Sequence, residues 1–172
     1  MSGSGYTRED FNDEMNDLEL CLEHEQQCIA YYEESAAQVE DERVKAIYTW
    51  LVEAGKQRIA ALQKVYAATT ETLSWAPDVE SQVRSVDASN DTAPQFDVAA
   101  GGKPGKPEIM TLRQGVELEK KTASIYHTAA QRSRDKSVRA LWRYLAASEE
   151  AHVKILNSYF DGLMQLAMKK KK

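Results

Sequence analysis

Apolar side chains recur at three- and four-residue steps over four long stretches of the chain, the spacing that lines one face of an α-helix. From about Arg8 to Gln38 the stripe runs Phe11, Met15, Leu18, Leu22, Ile29 and Tyr32. From about Glu42 to Ala68 it runs Val44, Ile47, Leu51, Ile59, Leu62 and Tyr66. A third stretch extends from about Pro107, a favoured residue at a helix start, to Arg132, and a fourth from about Lys136 to Met168. The breaks at Glu40–Asp41 and Ser133–Arg134–Asp135 are short, so each pair of stretches reads as a helical hairpin.

Residues 69–107 lie between the hairpins and are rich in Ser, Thr, Asp, Gly and Pro. Loops this long are uncommon in a compact domain unless topology demands them. Parallel second and third helices would make that demand. A helix of about 28 residues is roughly 42 Å long, a distance the linker can cover. The pattern therefore predicts one all-α domain over residues 1–172. It is a four-helix bundle of two hairpins, 6–68 and 108–168, with a long crossover (69–107) between the second and third helices. Asp78–Val86 is read as a short helix on the way. The end of the fourth helix, with Tyr159, Phe160, Leu163, Met164, Leu166 and Met168, is unusually apolar, which points to a homodimer contact or to packing against the crossover.

The two hairpins match each other. A constant offset of 94 positions relates Leu18 to Leu112, Glu25 to Glu119, Tyr32 to Tyr126, Asp41 to Asp135, Leu51 to Leu145 and Leu62 to Leu156. Two amphipathic helices share apolar positions by chance; a shared Glu and Tyr seven residues apart is harder to obtain that way. A period this long means two large units, not a solenoid. The halves differ at one place. The second carries Glu149 and His152, a Glu-x-x-His pair, where the first carries Gly55 and Arg58.

Composition narrows the function classes. Charged residues are 28% and hydrophobic ones 42%, an ordinary globular balance, and a net charge of −5 offers no basic face for nucleic acid. No run of 18 apolar residues is present, so no membrane span is expected. The start, MSGSGYTRED, lacks the basic and apolar regions of a signal peptide and reads as a flexible lead; cytoplasmic residence is the default. Lys169–Lys172 suit a helix C-terminus and a solvated tail. Cys21 and Cys28 lie seven apart on one helix, about 10 Å between Cα atoms, too far for a disulfide. No Cys-x-x-Cys occurs, so no zinc ribbon or rubredoxin-type iron centre is expected.

Projected onto two hairpins related by a pseudo-twofold axis, Glu25 and Glu119 take equivalent inward positions, and Glu149 and His152 share one face of the fourth helix. One Glu from each of two helices plus Glu-x-x-His from the others is the ligand set of carboxylate-bridged di-metal bundles, suited to iron or manganese. A lone Glu-x-x-His is a weak signal, and each residue has a plainer reading. His152 is a ligand or a hydrogen-bonded core histidine, Glu25 a partner of Arg58 or a ligand, and Tyr32 and Tyr126 packing residues. His24 and His127 lie roughly 80 to 100° of helical rotation from the Glu lines and are read as non-ligands.

At these residues the chain resembles the rubrerythrin branch of the ferritin-like superfamily. The likeness runs over EHEQQCIAYYEESA, VKAIYTWLVEAGKQRIAAL, ELEKKTASIYHTAA and VRALWRYLAASEEAHVKIL, covering residues 18–66 and 112–160. It implies a ferritin-like bundle in which Glu25 and Glu119 are terminal metal ligands and Glu149 bridges two ions. His152 would cap the ion near Glu119, with Tyr32 and Tyr126 as hydrogen-bond donors behind the carboxylates. The family's second bridging Glu and second His fall at positions 55 and 58, where this chain has Gly55 and Arg58. That departure argues against the family's peroxide reduction, which would also need an external electron donor here.

Three readings follow. The first is a rubrerythrin-like metal-binding protein with at most one iron or manganese ion, held by Glu119, Glu149 and His152, with Arg58 standing in for the other and Gly55 freeing space for its guanidinium. Three carboxylates, Glu25, Glu119 and Glu149, then balance one guanidinium and one divalent ion. The second is a metal-free structural or interaction bundle. The third is a rubrerythrin-type oxidoreductase. No organic cofactor is expected, and no residue is assigned a catalytic role.

Overall fold

The computed structural model describes residues 5–87, 93–95 and 97–169. Four long helices dominate it: α1 (Arg8–Gln38), α2 (Glu42–Thr72), α4 (Lys106–Arg132) and α5 (Lys136–Met168). The connection between α2 and α4 holds a short helix, α3 (Val79–Arg84), and a 3₁₀ turn over Val98–Ala100. No strand forms among the described residues, so the all-α expectation holds. Nor is any described helix long and apolar enough to cross a membrane. Residues 1–4 of the lead and Lys170–Lys172 of the basic tail lie outside the described residues.

Local chemistry fixes the helix starts. Thr7 and Asp10 form a reciprocal capping box ahead of α1. Asp41 accepts from the Arg43 amide ahead of α2, and Asp135 accepts from the amides of Ser137 and Val138 ahead of α5. The second helix runs four residues past its expected end at Ala68. Thr69 is buried one turn after Val65, and the hydroxyls of Thr70 and Thr72 donate to the carbonyls of Tyr66 and Ala68 instead of breaking the helix. Leu73 closes it in the left-handed region (φ 54°), a conformation usually left to glycine.

Contacts along the helices set their directions. The start of α1 meets the end of α4, where Arg132 pairs with Asp17 at 3.2 Å, and the end of α1 meets the start of α4, where Tyr31 donates to Thr111 O at 2.8 Å. These two helices are antiparallel, which makes α2 and α4 parallel. The crossover accordingly starts near Phe11, whose ring faces Trp75 at 6.2 Å, and finishes at the other end, where Arg43 donates to the carbonyls of Val98 and Gly102. The apolar end of α5 packs on this returning segment: Gly162 lies against Val98, and Tyr159 donates to Pro94 O.

The core falls into two apolar parts. One surrounds Leu18, Leu62, Trp75, Val83 and Trp142; the other surrounds Val44, Ile47, Tyr48, Leu112 and Leu156. Burying one such large apolar side chain contributes about 1.5–3 kcal/mol. Between the parts lies a layer of buried ionisable side chains: Glu25, Arg58, Glu119, Glu149 and His152, each 4% exposed or less. Removing such charges from water is costly, so stability alone gives no reason for this layer.

Candidate metal centre

Each long helix supplies the polar layer. Glu25 comes from α1, Arg58 from α2, Glu119 from α4, and Glu149 with His152 from α5. The tyrosines expected behind the carboxylates cross between the hairpins. Tyr32 on α1 donates to Glu119 Oε1 on α4 at 2.5 Å, and Tyr126 on α4 donates to Glu25 Oε1 on α1. Residues 94 positions apart thus make reciprocal bonds, as a pseudo-twofold axis requires. Burial, reinforced by the facing carboxylate, holds both phenols well above their ordinary pKa, so they remain donors. Gly115 lets the Tyr32 ring lie against α4: a Cβ there would stand 3.3 Å from the ring.

Arg58 is fully buried and makes four bonds. Nη1 donates to Glu25 at 3.1 Å and to Glu149; Nη2 donates to Asp87 at 3.1 Å and to Ser148 at 2.8 Å. Burial opposes the guanidinium charge, but Glu25 and Asp87 outweigh it and hold the group protonated. Only Nε is left without a partner among the described residues. Asp87 is absent from the sequence-based site. It follows α3 in the crossover, its side chain is 1% exposed, and Tyr144 also donates to it at 3.0 Å. No periodic pattern marks it in the sequence; the path of the crossover brings it in.

On the other side of Glu149, three groups converge. His152 Nδ1 lies 3.2 Å from Glu119 Oε2 and 3.3 Å from Glu149 Oε2. One ligand atom from each of Glu119, Glu149 and His152 lies within 4.8 Å of the others, a cluster able to close on one metal ion. The Trp50 ring meets the imidazole edge-on at 5.2 Å. The group borders a cavity of about 20 Å³, enough for one water-sized occupant, whose walls include Cys28, Gly55 and Thr122.

Glu25, read as a partner of Arg58 or a ligand, takes the first role: it faces Arg58 and Tyr126 and is not part of the converging group. Two expectations change. Gly55 makes room for Ile29, not for the guanidinium: a Cβ at position 55 would come within 2.8 Å of Ile29 Cγ1. The carboxylate count changes as well, because Asp87 joins Glu25 and Glu149 on the guanidinium and makes four with Glu119. His127, read as a non-ligand, pairs with Glu150 on the surface at 2.7 Å, and both cysteines are buried free thiols.

No protein-family model, curated protein or solved structure matches this chain.

Proposed function

We propose that this protein binds one divalent transition-metal ion, iron or manganese, through Glu119, Glu149 and His152. The site would be a one-ion derivative of the two-ion centre of rubrerythrin-like, ferritin-like bundles, with Arg58 carrying the charge of the missing ion. The observation that carries the reading is the convergence of these three buried ligand atoms within 4.8 Å beside a cavity of one-ion size.

Charge supports it. Arg58 is shared among three buried carboxylates, Glu25, Glu149 and Asp87, while the fourth, Glu119, faces His152, and so much buried negative charge is expensive. A divalent ion offsets two of those charges, where protonation of His152 offsets one. Donor chemistry agrees, since two carboxylates and an imidazole suit first-row ions of this kind. A bound ion would supply Lewis-acid or one-electron redox chemistry. The chain's own residues would hold it, with Tyr32 orienting Glu119 and Arg58 orienting Glu149.

A second reading, a metal-free structural bundle, draws on the contacts His152 makes at 3.2 and 3.3 Å, which close the layer by hydrogen bonds alone. Calorimetric titration with manganese(II) separates the two. Saturable binding that disappears in His152→Ala supports the metal site; no heat beyond dilution in the intact protein supports the metal-free bundle.

A further inference from the structure

The outer wall of the same cavity carries a second set of ligand atoms. His24 and Cys28 are one helical turn apart on α1, on a single face. His24 Nε2 and Cys28 Sγ are 3.5 Å apart. A tetrahedral ion with bonds of about 2.0 Å to nitrogen and 2.3 Å to sulfur holds two such atoms roughly that far apart. Thr122, across the interface on α4, places Oγ1 2.8 Å from His24 Nε2 and 3.7 Å from Cys28 Sγ. Its hydroxyl hydrogen goes to Leu118 O at 2.8 Å, so lone pairs face the other two atoms. Cys28 and Thr122 line the buried cavity, while His24 is half-buried and lies outside that lining.

We propose that His24 and Cys28 form a second metal site at this wall, for ions that accept both imidazole and thiolate, such as zinc(II), cobalt(II) or cuprous copper, with Thr122 as a weak oxygen donor. Neither residue belongs to the Glu119–Glu149–His152 group, so the inference does not depend on that reading. Burial, followed by Glu25 and Glu119, pushes the Cys28 thiol up to about 12, so the free site holds S–H. Binding forms a metal–sulfur bond, breaks the S–H bond and releases one proton to solvent, with no change of oxidation state. Burial meanwhile lowers the basicity of His24, leaving its ring neutral and able to coordinate near pH 7.

The test is an anaerobic titration of the reduced full chain with cobalt(II), followed by thiolate-to-cobalt charge-transfer absorption in the near ultraviolet. In the His152→Ala background, which removes the carboxylate site, the expected band saturates at one cobalt per chain. It should vanish in Cys28→Ser, require about tenfold or more cobalt in His24→Ala, and persist in Cys21→Ser and His152→Ala. Persistence in His152→Ala separates this site from the carboxylate site. Absence of the band in the intact protein, its survival in Cys28→Ser, or its loss in Cys21→Ser would each overturn the proposal, and the first needs no variant to fold.

Discussion

Glu108 does for the first hairpin what Glu14, 94 positions earlier, does for the second. Glu108 Oε1 accepts from the amides of Glu40 and Asp41 at 2.9 and 3.2 Å; Glu14 Oε1 accepts from the amides of Arg134 and Asp135 at 2.8 and 3.0 Å. Each buried carboxylate ties the turn of the opposite hairpin, satisfying amides that the chain cannot satisfy locally. The internal symmetry therefore extends beyond the buried polar layer to the joints holding the hairpins together.

Replacing either glutamate with alanine should cost about 2–4 kcal/mol, since charge-assisted bonds are lost and two amides are left without partners. The exposed Glu23 is the control; its replacement should change stability by less than about 0.5 kcal/mol. Urea unfolding of the three variants makes the comparison. Equal effects at positions 23 and 108 would remove the structural role assigned here.

Acid stability should depend on Glu108 in a particular window. Desolvation raises its pKa, but the amides of Glu40, Glu108 and Asp41 outweigh it and bring it below the ordinary 4.5. A folded-state pKa below the unfolded one means stabilisation that is complete above pH 4.5 and disappears as pH falls through the depressed value. Glu108→Gln should flatten the stability–pH curve below pH 4.5. An unchanged slope would show that the carboxylate is not ionised preferentially in the folded state.

Arg58 should be the most sensitive position in the polar layer. Arg58→Ala leaves Glu25, Glu149 and Asp87 without their shared cation and should cost about 3–5 kcal/mol. Placing the Glu149–His152 pair at the equivalent positions 55 and 58 needs a third change, because Ile29 occupies the space above Gly55. The combination Ile29→Ala, Gly55→Glu, Arg58→His should gain one metal ion over the unaltered chain, by elemental analysis of folded protein. No gain would mean that the two halves are not equivalent at this layer.

Both thiols should be inert in the native state. Burial is the largest influence raising Cys21 and Cys28, the latter to about 12. At pH 8 a disulfide reagent should label neither within the time that labels both in urea. Fast labelling of Cys28 in metal-free native protein would mean that the α1–α4 seam opens readily.

The amphipathic stripes made the four helices legible because each buries one continuous face. The 94-residue offset made Tyr32 and Tyr126 equivalent, but their place behind the carboxylates came only from the family resemblance; by periodicity both read as packing residues. Asp87 was not legible, since an aspartate in an aperiodic crossover looks like any solvated loop residue. Gly55 was misread because its neighbour, Ile29, belongs to another helix. Glu14 and Glu108 were missed for a simpler reason: acidic residues near helix starts are common, and only tertiary structure places turn amides beside these two. The His24–Cys28 pair has i, i+4 spacing, but Thr122 and the cavity behind it emerge only when α1 meets α4.

The central claim, one ion held by Glu119, Glu149 and His152 with Arg58 in place of a second, is tested most directly by metal content. Protein loaded anaerobically with excess iron(II), passed through a desalting column and analysed for iron should retain close to one ion per chain, and His152→Ala close to none. The Cys28→Ser background keeps the count free of any ion at His24. Near-zero iron in that background, or two ions per chain, would contradict the account.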